Sequence, residues 1–188
     1  MNIWSAGCAS GEEAYTLALV FSEAMGYDSF GEHVKIYCTD VDQDALNEAR
    51  LATHTPQQLS EVPAPLVEKY LDQAAGHYVF KKEMRPLVIF GRHDLTRETP
   101  ISRIDLLVCR NTSMYFNVET QSRILARINY ALNGPGFLFL GNAEVLLAYA
   151  DLFAPADLKH RAYKKVSRVS ARDRFPTLAR AAQSAAGG

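Results

Sequence analysis

Residues 5–13 read Ser5-Ala6-Gly7-Cys8-Ala9-Ser10-Gly11-Glu12-Glu13, and this stretch decides the fold of the chain. It follows a short apolar segment, Ile3-Trp4, and precedes a helical pattern over residues 14–21. A strand, a glycine turn and a helix at the front of an α/β chain usually hold a nucleotide-like ligand. The two glycines do not fit the spacing G-x-G-x-x-G, so the stretch does not match a nicotinamide or flavin fingerprint.

The two glutamates in the first turn of this helix make the stretch more specific. A helix N-terminus favours anions, but two carboxylates there would repel a pyrophosphate and attract a cation. S-adenosylmethionine (SAM) is a nucleotide-like cofactor that carries a positive charge and no phosphate. Ser10 and Glu13 also fit a capping box, S-x-x-E, which needs no ligand. A ligand role and a capping role are therefore both open for Glu13.

Composition excludes several classes of protein. With 188 residues and a formal net charge of -1, the chain can bury one substantial core and has no basic footprint for nucleic acid. It contains no apolar run long enough to span a bilayer and no signal-peptide pattern. The cysteines Cys8, Cys38 and Cys109 are widely spaced, which argues against zinc and disulfides and fits a reducing cytoplasm. We predict a cytoplasmic protein with no metal, no nucleic-acid partner and no direct membrane insertion.

The order of the predicted elements indicates an α/β fold. Strands are predicted at residues 3–4, 34–39, 78–80, 87–90, 104–109, 137–140 and 162–166, and helices at 14–21, 43–51, 66–71 and 117–132. We expect a doubly wound, mostly parallel Rossmann-like sheet. The predicted domain covers residues 1–169, and residues 170–188 are predicted to be a disordered tail or linker. Because the chain opens inside the predicted first strand, we interpret it as part of a longer protein.

Acidic residues follow two of the predicted strands. In a doubly wound sheet, ligands bind beyond the carboxyl ends of the strands. Asp40 is placed to accept hydrogen bonds from both ribose hydroxyls, and Asp42 is the better N-cap for the next helix. Asp94-Leu95 lies where an adenine would sit, although a loop aspartate without a ligand fits there too. The polar ends of several strands converge on one crevice, which is stronger evidence than any single motif.

Arg110-Asn111 follows directly on the apolar strand at 104–109. Packing explains an arginine there poorly, because charges are rarely buried unpaired. Its guanidinium suits bidentate pairing with a carboxylate, which could belong to a ligand, a substrate or one of the chain's own glutamates. Tyr115 could orient a nucleophile with its hydroxyl, and aromatic packing against the sheet is an equal alternative.

Four motifs, spread over most of the chain, are similar to those of one known family. They are Trp4-Ser5-Ala6-Gly7-Cys8-Ala9-Ser10-Gly11-Glu12-Glu13-Ala14-Tyr15, Thr39-Asp40-Val41-Asp42, Cys109-Arg110-Asn111-Thr112-Ser113-Met114-Tyr115-Phe116 and Phe137-Leu138-Phe139-Leu140-Gly141-Asn142-Ala143-Glu144. They resemble, in the same order, the cofactor motif, the second acidic motif, C-R-N-x-x-x-Y-F and the closing strand with G-x-x-E of CheR, the chemotaxis receptor glutamate methyltransferase. The resemblance spans residues 3 to about 169.

The resemblance implies a class I SAM-dependent methyltransferase fold with an antiparallel last strand. The implied reaction is O-methyl transfer from SAM to glutamate side chains of a chemoreceptor or other signalling protein, with S-adenosylhomocysteine (SAH) as product. Glu13 would face the methionine amino group and Asp40 the ribose, while Arg110 and Tyr115 would be the catalytic residues. For the cofactor, the resemblance implies contacts from Ala6, Gly7, Glu13, Asp40, Val41, Asp94, Leu95, Arg110 and Asn111.

The chain also departs from the family pattern. The N-terminal helical domain is absent, and the family's G-H-S-E is Gly141-Asn142-Ala143-Glu144 here. The segment between Tyr70 and Phe90 is short for the inserted β-subdomain that grips a receptor tail peptide. These departures suit a module joined to other domains of a larger signalling protein. They also favour an alternative, a weakly active or inactive SAM- or SAH-binding sensor. A methyltransferase for small molecules is less favoured, because C-R-N-x-x-x-Y-F is not its usual signature.

Overall fold

The structure, a computed structural model, describes residues 1–110, 112, 116–141 and 150–166. Within these residues the strands are β1 (Asn2–Ala6), β2 (Lys35–Asp40), β3 (Thr53–His54), β4 (Leu71–Ala74), β5 (His77–Phe80), β6 (Val88–Arg92), β7 (Ile104–Cys109), β8 (Leu132–Leu140), β9 (Phe153–Asp157) and β10 (Ala162–Lys165). The helices are α1 (Glu12–Met25), α2 (Tyr27–His33), α3 (Gln43–Leu51), α4 (Ala64–Tyr70) and α5 (Val118–Ala131), with a 3₁₀ turn at Arg85–Leu87.

The main sheet has seven strands in the order β6-β2-β1-β7-β8-β10-β9. β1 pairs in parallel with β2 and β7, and β6 and β8 extend the sheet in parallel on either side. β10 is antiparallel to both β8 and β9. The predicted doubly wound, mostly parallel sheet with an antiparallel last strand is therefore confirmed. Because the strand order reverses at β1, a crevice lies beyond its carboxyl end, where such sheets bind ligands.

Alternate residues of β1 pack into two different hydrophobic cores, one on each face of the main sheet. Ile3 packs into the core that contains α1, and Trp4 packs into the core that contains α5. This division follows from the two-residue period of a strand. The apolar spacing of α1 matches one helical face and fixes the helix against the sheet. The buried residues of α1 are Ala14, Tyr15, Ala18, Leu19 and Ser22.

Side chains cap helices α3 and α5 at their N-termini, but no side chain caps α1. Asp42 caps α3 by accepting hydrogen bonds from the backbone of Asp44 and Ala45, and Asn117 caps α5 by accepting one from Thr120. The capping box considered for α1 is wrong, because Gly11 with φ +94° is its N-cap and no side chain caps this end. The Ser10 hydroxyl instead donates to the Glu12 carboxylate at 2.8 Å.

The strands predicted at 78–80 and 87–90 belong to two different sheets. β5 pairs antiparallel with β3 and β4 in a separate three-stranded sheet, which we call the small sheet. β6 instead joins the main sheet beside β2. Packing explains this separation, because Phe80 at the end of β5 stacks on Tyr15 of α1 with ring centroids 4.3 Å apart.

Several other elements differ from the sequence prediction. β8 begins at Leu132 instead of residue 137, because Leu132 pairs with Ile104 across an irregularity in β7. α2, β3, β4 and β9 were not predicted. Helix α4 begins at Ala64, earlier than predicted. Residues 170–188, predicted as a tail or linker, lie outside the described residues. No helix among those described is long and apolar enough to cross a membrane.

Candidate active site

The turn between β1 and α1 needs glycine at position 7. Gly7 has φ +79°, and a Cβ atom added there would lie 2.1 Å from Thr112 Oγ1. The amide nitrogens of Gly7 and Cys8 both donate to the carbonyl oxygen of Thr39, at 2.7 and 3.0 Å. The turn is thereby held against the end of β2, and it brings the first turn of α1 to the crevice.

Glu13 is held by a serine from β1. The hydroxyl of Ser5, itself fully buried, donates to Glu13 Oε1 at 2.6 Å. Burial raises the pKa of the Glu13 carboxyl, while the Ser5 hydrogen bond and the positive charge of Arg110 lower it. Glu13 Oε2 has no hydrogen-bond partner within the described part of the chain. One carboxylate oxygen is therefore fixed by the protein, and the other is available to a cation.

Asp40 joins the end of β2 to the glycine turn. Its Oδ2 accepts a hydrogen bond from the Ala9 amide at 2.9 Å, and its Oδ1 accepts one from the Asp42 amide at 3.0 Å. Each carboxylate oxygen can accept a further hydrogen bond. Because Asp42 caps α3, Asp40 is not needed as a cap. Its geometry suits a pair of vicinal hydroxyls.

The Asp94 carboxylate interacts mainly with residues of its own loop. Its Oδ1 accepts hydrogen bonds from the backbone amide and the hydroxyl of Thr96, at 2.8 and 2.6 Å. These hydrogen bonds lower the pKa of the Asp94 carboxyl below its usual range. Arg97 Nε lies 3.7 Å from Asp94 Oδ2. The neighbouring Leu95 is buried and presents an apolar surface.

Arg110 is exposed at the end of β7, and no described residue accepts a hydrogen bond from its guanidinium. Its pairing with a carboxylate of a ligand or substrate stays a prediction. Its guanidinium carbon lies 5.8 Å from the centroid of the Phe139 ring on β8. The strand pairing produces this contact, because Val108 and Phe139 are paired residues of neighbouring strands. The charge of Arg110 also acts on Glu13 across the crevice.

These residues line one cleft of about 1000 Å³ at the carboxyl ends of the strands. A cleft of this size accommodates a nucleoside-sized ligand. Of the residues predicted to contact a cofactor, those that line it are Gly7, Glu13, Asp40, Val41, Asp94, Leu95 and Arg110. We refer to this space as the cleft.

Three predicted site residues are not part of the cleft lining as described. Ala6 is buried, with 1% exposure, and its carbonyl oxygen accepts a hydrogen bond from the Thr112 hydroxyl at 3.3 Å. Asn111 and Tyr115 lie outside the described residues. Ala6, Asn111 and Tyr115 stay predictions for this site.

The cleft also contains side chains that sequence reasoning missed. Leu17 and Val20 continue the face of α1 that begins with Glu13, and helical spacing from Glu13 could have identified them. His93 and Phe139 were missed because neither belongs to a motif that binds ligands. Cys8 also lines the cleft, but burial and the nearby Asp40 charge raise the pKa of its thiol to about 12. That thiol is therefore protonated at neutral pH and is not a nucleophile.

The donor and acceptor set of the cleft fits SAM. Glu13 has one carboxylate oxygen without a described partner, which suits an ammonium group, and both carboxylate oxygens of Asp40 can accept a further hydrogen bond, which suits ribose hydroxyls. Leu17 and Val20 supply apolar surface along α1. The Nδ1 atom of His93 is buried from solvent and has no hydrogen-bond partner among the described residues.

A sequence model described as "CheR methyltransferase, SAM binding domain" matches residues 1–162. The chain belongs to this family. The predicted family and the predicted cofactor, SAM, are thereby confirmed. The match covers β1 through the start of β10, so it includes every described residue that lines the cleft.

Individual relatives agree with the family match. A chemotaxis protein methyltransferase of Borreliella burgdorferi is 34% identical over 149 residues, which cover 78% of this chain and 53% of that protein. An uncharacterized 104.1 kDa protein of Rhodobacter capsulatus is 36% identical over 164 residues, 87% of this chain and 17% of that protein. The chain thus spans about half the length of such curated relatives, or less. A solved TehB-like SAM-dependent methyltransferase from Corynebacterium glutamicum superposes with a TM-score of 0.46 at 15% identity, over 87% of this chain and 77% of that one.

Proposed function

We propose that this CheR-family domain transfers a methyl group from SAM to glutamate side chains of a chemoreceptor-like signalling protein. The observation that carries the proposal is the arrangement of charges in the cleft. Glu13 and Asp40 supply carboxylates on one side, and Arg110 supplies an exposed cation on the other. The carboxylates suit the ammonium and ribose of a cofactor. The cation suits a second, anionic reactant.

For this reaction the protein mainly has to align the methyl group of SAM with the acceptor carboxylate. When bound, SAM supplies a methyl group on a sulfonium, whose transfer to a carboxylate oxygen forms a methyl ester and leaves SAH. A glutamate acceptor is ionised at neutral pH, so no general base is required. Arg110 can hold that carboxylate through its N–H groups, because it lines the cleft and no described residue accepts a hydrogen bond from them. The apolar side chains of Leu17 and Val20 reduce access of water along α1.

The names of relatives support the proposed acceptor class. The Borreliella burgdorferi relative is named a chemotaxis protein methyltransferase, and a relative in Pseudomonas aeruginosa is named chemotaxis protein methyltransferase 2. The 104.1 kDa Rhodobacter capsulatus relative supports the further proposal that this domain works as one module among others. We place the activity in the cytoplasm, where the signalling part of a chemoreceptor lies.

A second candidate is a sensor that binds SAM or SAH without transferring the methyl group. The sequence Gly141-Asn142-Ala143-Glu144 favours it, because two residues differ there from the family's G-H-S-E. Such a module would keep Glu13 and Asp40 and would report cofactor levels to a fused domain.

Two measurements separate these candidates. Calorimetric titration of the full chain with SAH tests the cofactor site, and absence of binding at high micromolar SAH would contradict both. Transfer of labelled methyl groups to a receptor signalling fragment then tests catalysis. Base-labile label on glutamates supports the methyltransferase. The sensor is supported if the chain binds SAH but transfers no methyl group, even when the N-terminal helical domain of a relative is fused to it.

A further inference from the structure

The segment that follows β6 lines part of the cleft and forms a single helical turn. Its residues that line the cleft include Asp94, Leu95 and Thr96. The backbone amides of Arg97 and Glu98 both donate hydrogen bonds to the carbonyl oxygen of Asp94, at 3.2 and 2.9 Å. We call residues 94–98 the Asp94 turn.

The two ends of the Asp94 turn are held in different ways. At its start, the carboxylate of Asp94 accepts hydrogen bonds from the amide and the hydroxyl of Thr96, as an N-cap does. At its end, the last carbonyl oxygens have no partner within the turn. One helical turn is not stable in water by itself, so its carbonyl end needs support from another part of the fold.

Arg127 of α5 gives that support. Its guanidinium donates one hydrogen bond to the carbonyl oxygen of Glu98 and a second, at 3.4 Å, to the carbonyl oxygen of Arg97. Because both acceptors are backbone atoms, these contacts fix the path of the chain and do not depend on the side chains at positions 97 and 98. The described residues that line the cleft do not include Arg127.

Helix α5 also holds the Asp94 turn through an apolar contact. Leu95 is buried in the same core as Ile124 and Ile128 of α5. The turn is therefore attached to α5 at two points, by Leu95 in the core and by Arg127 at its carbonyl end. None of the described residues that line the cleft belongs to α5, so this helix acts on the cleft through the turn.

We propose that Arg127 is a positioning residue for the cofactor, which holds the Asp94 turn in the shape that meets SAM without contacting SAM itself. This inference rests on the proposed function, because it takes the cleft as the site of SAM. An arginine that only stabilised the fold would change the free energy of unfolding and leave the cofactor affinity of the folded chain unchanged. Affinity therefore distinguishes positioning from a purely structural role.

The variant Arg127→Met keeps most of the apolar stem and removes the hydrogen-bond donors. We expect the SAH affinity of the full chain, measured by calorimetry on folded protein, to fall about three- to tenfold, because the turn must then be ordered when the ligand binds. Arg127→Lys keeps a charged donor on a similar stem and should recover part of the affinity. Unchanged SAH affinity in Arg127→Met overturns the inference.

Arg123→Met is the matched control on the same helix. Arg123 donates a hydrogen bond at 3.2 Å to the hydroxyl of Thr120, also on α5, and this contact does not reach the Asp94 turn. The control removes the same charge from α5 but should leave SAH affinity unchanged. Equal losses in Arg123→Met and Arg127→Met would show that the charge of α5 matters and not the support of the turn, which overturns the role of Arg127.

Amide hydrogen exchange tests the support of the turn directly. In Arg127→Met without ligand, the amides of Arg97 and Glu98 should exchange faster, and by more than the change in unfolding free energy accounts for. In the unmodified chain, saturation with SAH should slow their exchange, a test that needs no substitution. Exchange that SAH leaves unchanged at both amides overturns the inference while the cofactor site stands. Absence of SAH binding by the unmodified chain overturns the proposed function and the inference together.

Discussion

The two sides of the cleft are built differently. On the cofactor side, the Ser5 hydroxyl donates a hydrogen bond to the Glu13 carboxylate at 2.6 Å. The backbone amides of Ala9 and Asp42 donate hydrogen bonds to the Asp40 carboxylate at 2.9 and 3.0 Å. On the side proposed for the acceptor, Arg110 is exposed, and its guanidinium carbon lies 5.8 Å from the centroid of the Phe139 ring. Short hydrogen bonds define the position of an atom, whereas contact with the face of a ring leaves a long side chain free to adjust.

This difference fits the two reactants. SAM is always the same molecule, so its binding groups can be held in position before it binds. Side chains that are already fixed lose little conformational entropy on binding. The proposed acceptor, a glutamate side chain, would arrive on another protein and in several sequence contexts. An exposed arginine without a described hydrogen-bond acceptor can adapt to it. Substitutions on the cofactor side should therefore have larger effects than substitutions on the acceptor side.

The largest effect is expected from Gly7→Ala. The new methyl group would lie 2.1 Å from Thr112 Oγ1, and the residue would have to keep φ near +79°. We expect the free energy of unfolding to fall by about 2–3 kcal/mol, measured by urea denaturation. SAH affinity should fall as well, because the turn positions both the Ala9 amide and α1.

A matched control separates the clash from the backbone strain. Gly76 has φ +80° and nothing within 4 Å of an added Cβ atom. Gly76→Ala should therefore cost only about 1 kcal/mol. Adding Thr112→Ala to Gly7→Ala should restore part of the loss. Equal losses for Gly7→Ala and Gly76→Ala would show that the approach of Thr112 does not matter.

Asp40→Ala is expected to have the next largest effect, on cofactor affinity. The variant removes a charged acceptor for the ribose and also releases the Ala9 amide of the glycine turn. SAH affinity measured by calorimetry should fall more than about tenfold. Asp72→Ala, at an exposed position on β4, is the control and should leave affinity unchanged. Unchanged affinity in Asp40→Ala would remove this residue from the site.

The sequence predicted the cofactor side well because its signals are local. A glycine with positive φ, a carboxylate at the end of a strand and the apolar period of α1 can each be recognised within a few residues. Asp40 lines the cleft, and Asp42, the better cap by sequence, proved to be the cap of α3. The error in this region concerns Glu13, whose holding partner is Ser5 on β1 and not Ser10 beside it.

Features that depend on pairing between distant strands could not be predicted. The contact of Arg110 with Phe139 follows from the register of β7 and β8, and sequence spacing does not reveal it. The separation of β5 from β6 likewise depends on Phe80 stacking against Tyr15.

Ser5→Ala tests how rigidly the cofactor side is held. Glu13 must be ionised to bind an ammonium group, so SAH affinity should be lost as the pH falls through the pKa of Glu13. Burial raises that pKa and the Ser5 hydrogen bond lowers it. Removing the hydrogen bond should therefore raise the pH at which affinity is half lost, in titrations between about pH 4 and pH 8.

Ser10→Ala is the matched control for that experiment. Ser10 donates to Glu12 and not to Glu13, so the pH dependence of SAH binding should stay close to that of the unmodified chain. Identical curves for Ser5→Ala and the unmodified chain would mean that Glu13 does not carry the pH dependence of binding.

Phe139→Leu is expected to have the smallest effect, and it acts on the acceptor side alone. Leucine keeps most of the apolar volume but removes the ring face beneath Arg110, a contact worth about 0.5–1 kcal/mol at an exposed site. SAH affinity should be unchanged, while KM for the protein acceptor should rise about two- to fivefold. Phe137→Leu, at an exposed position of the same strand, should change neither value. A fall in SAH affinity equal to the change in KM would mean that Phe139 supports both sides, and the division between a fixed cofactor side and an adaptable acceptor side would not hold.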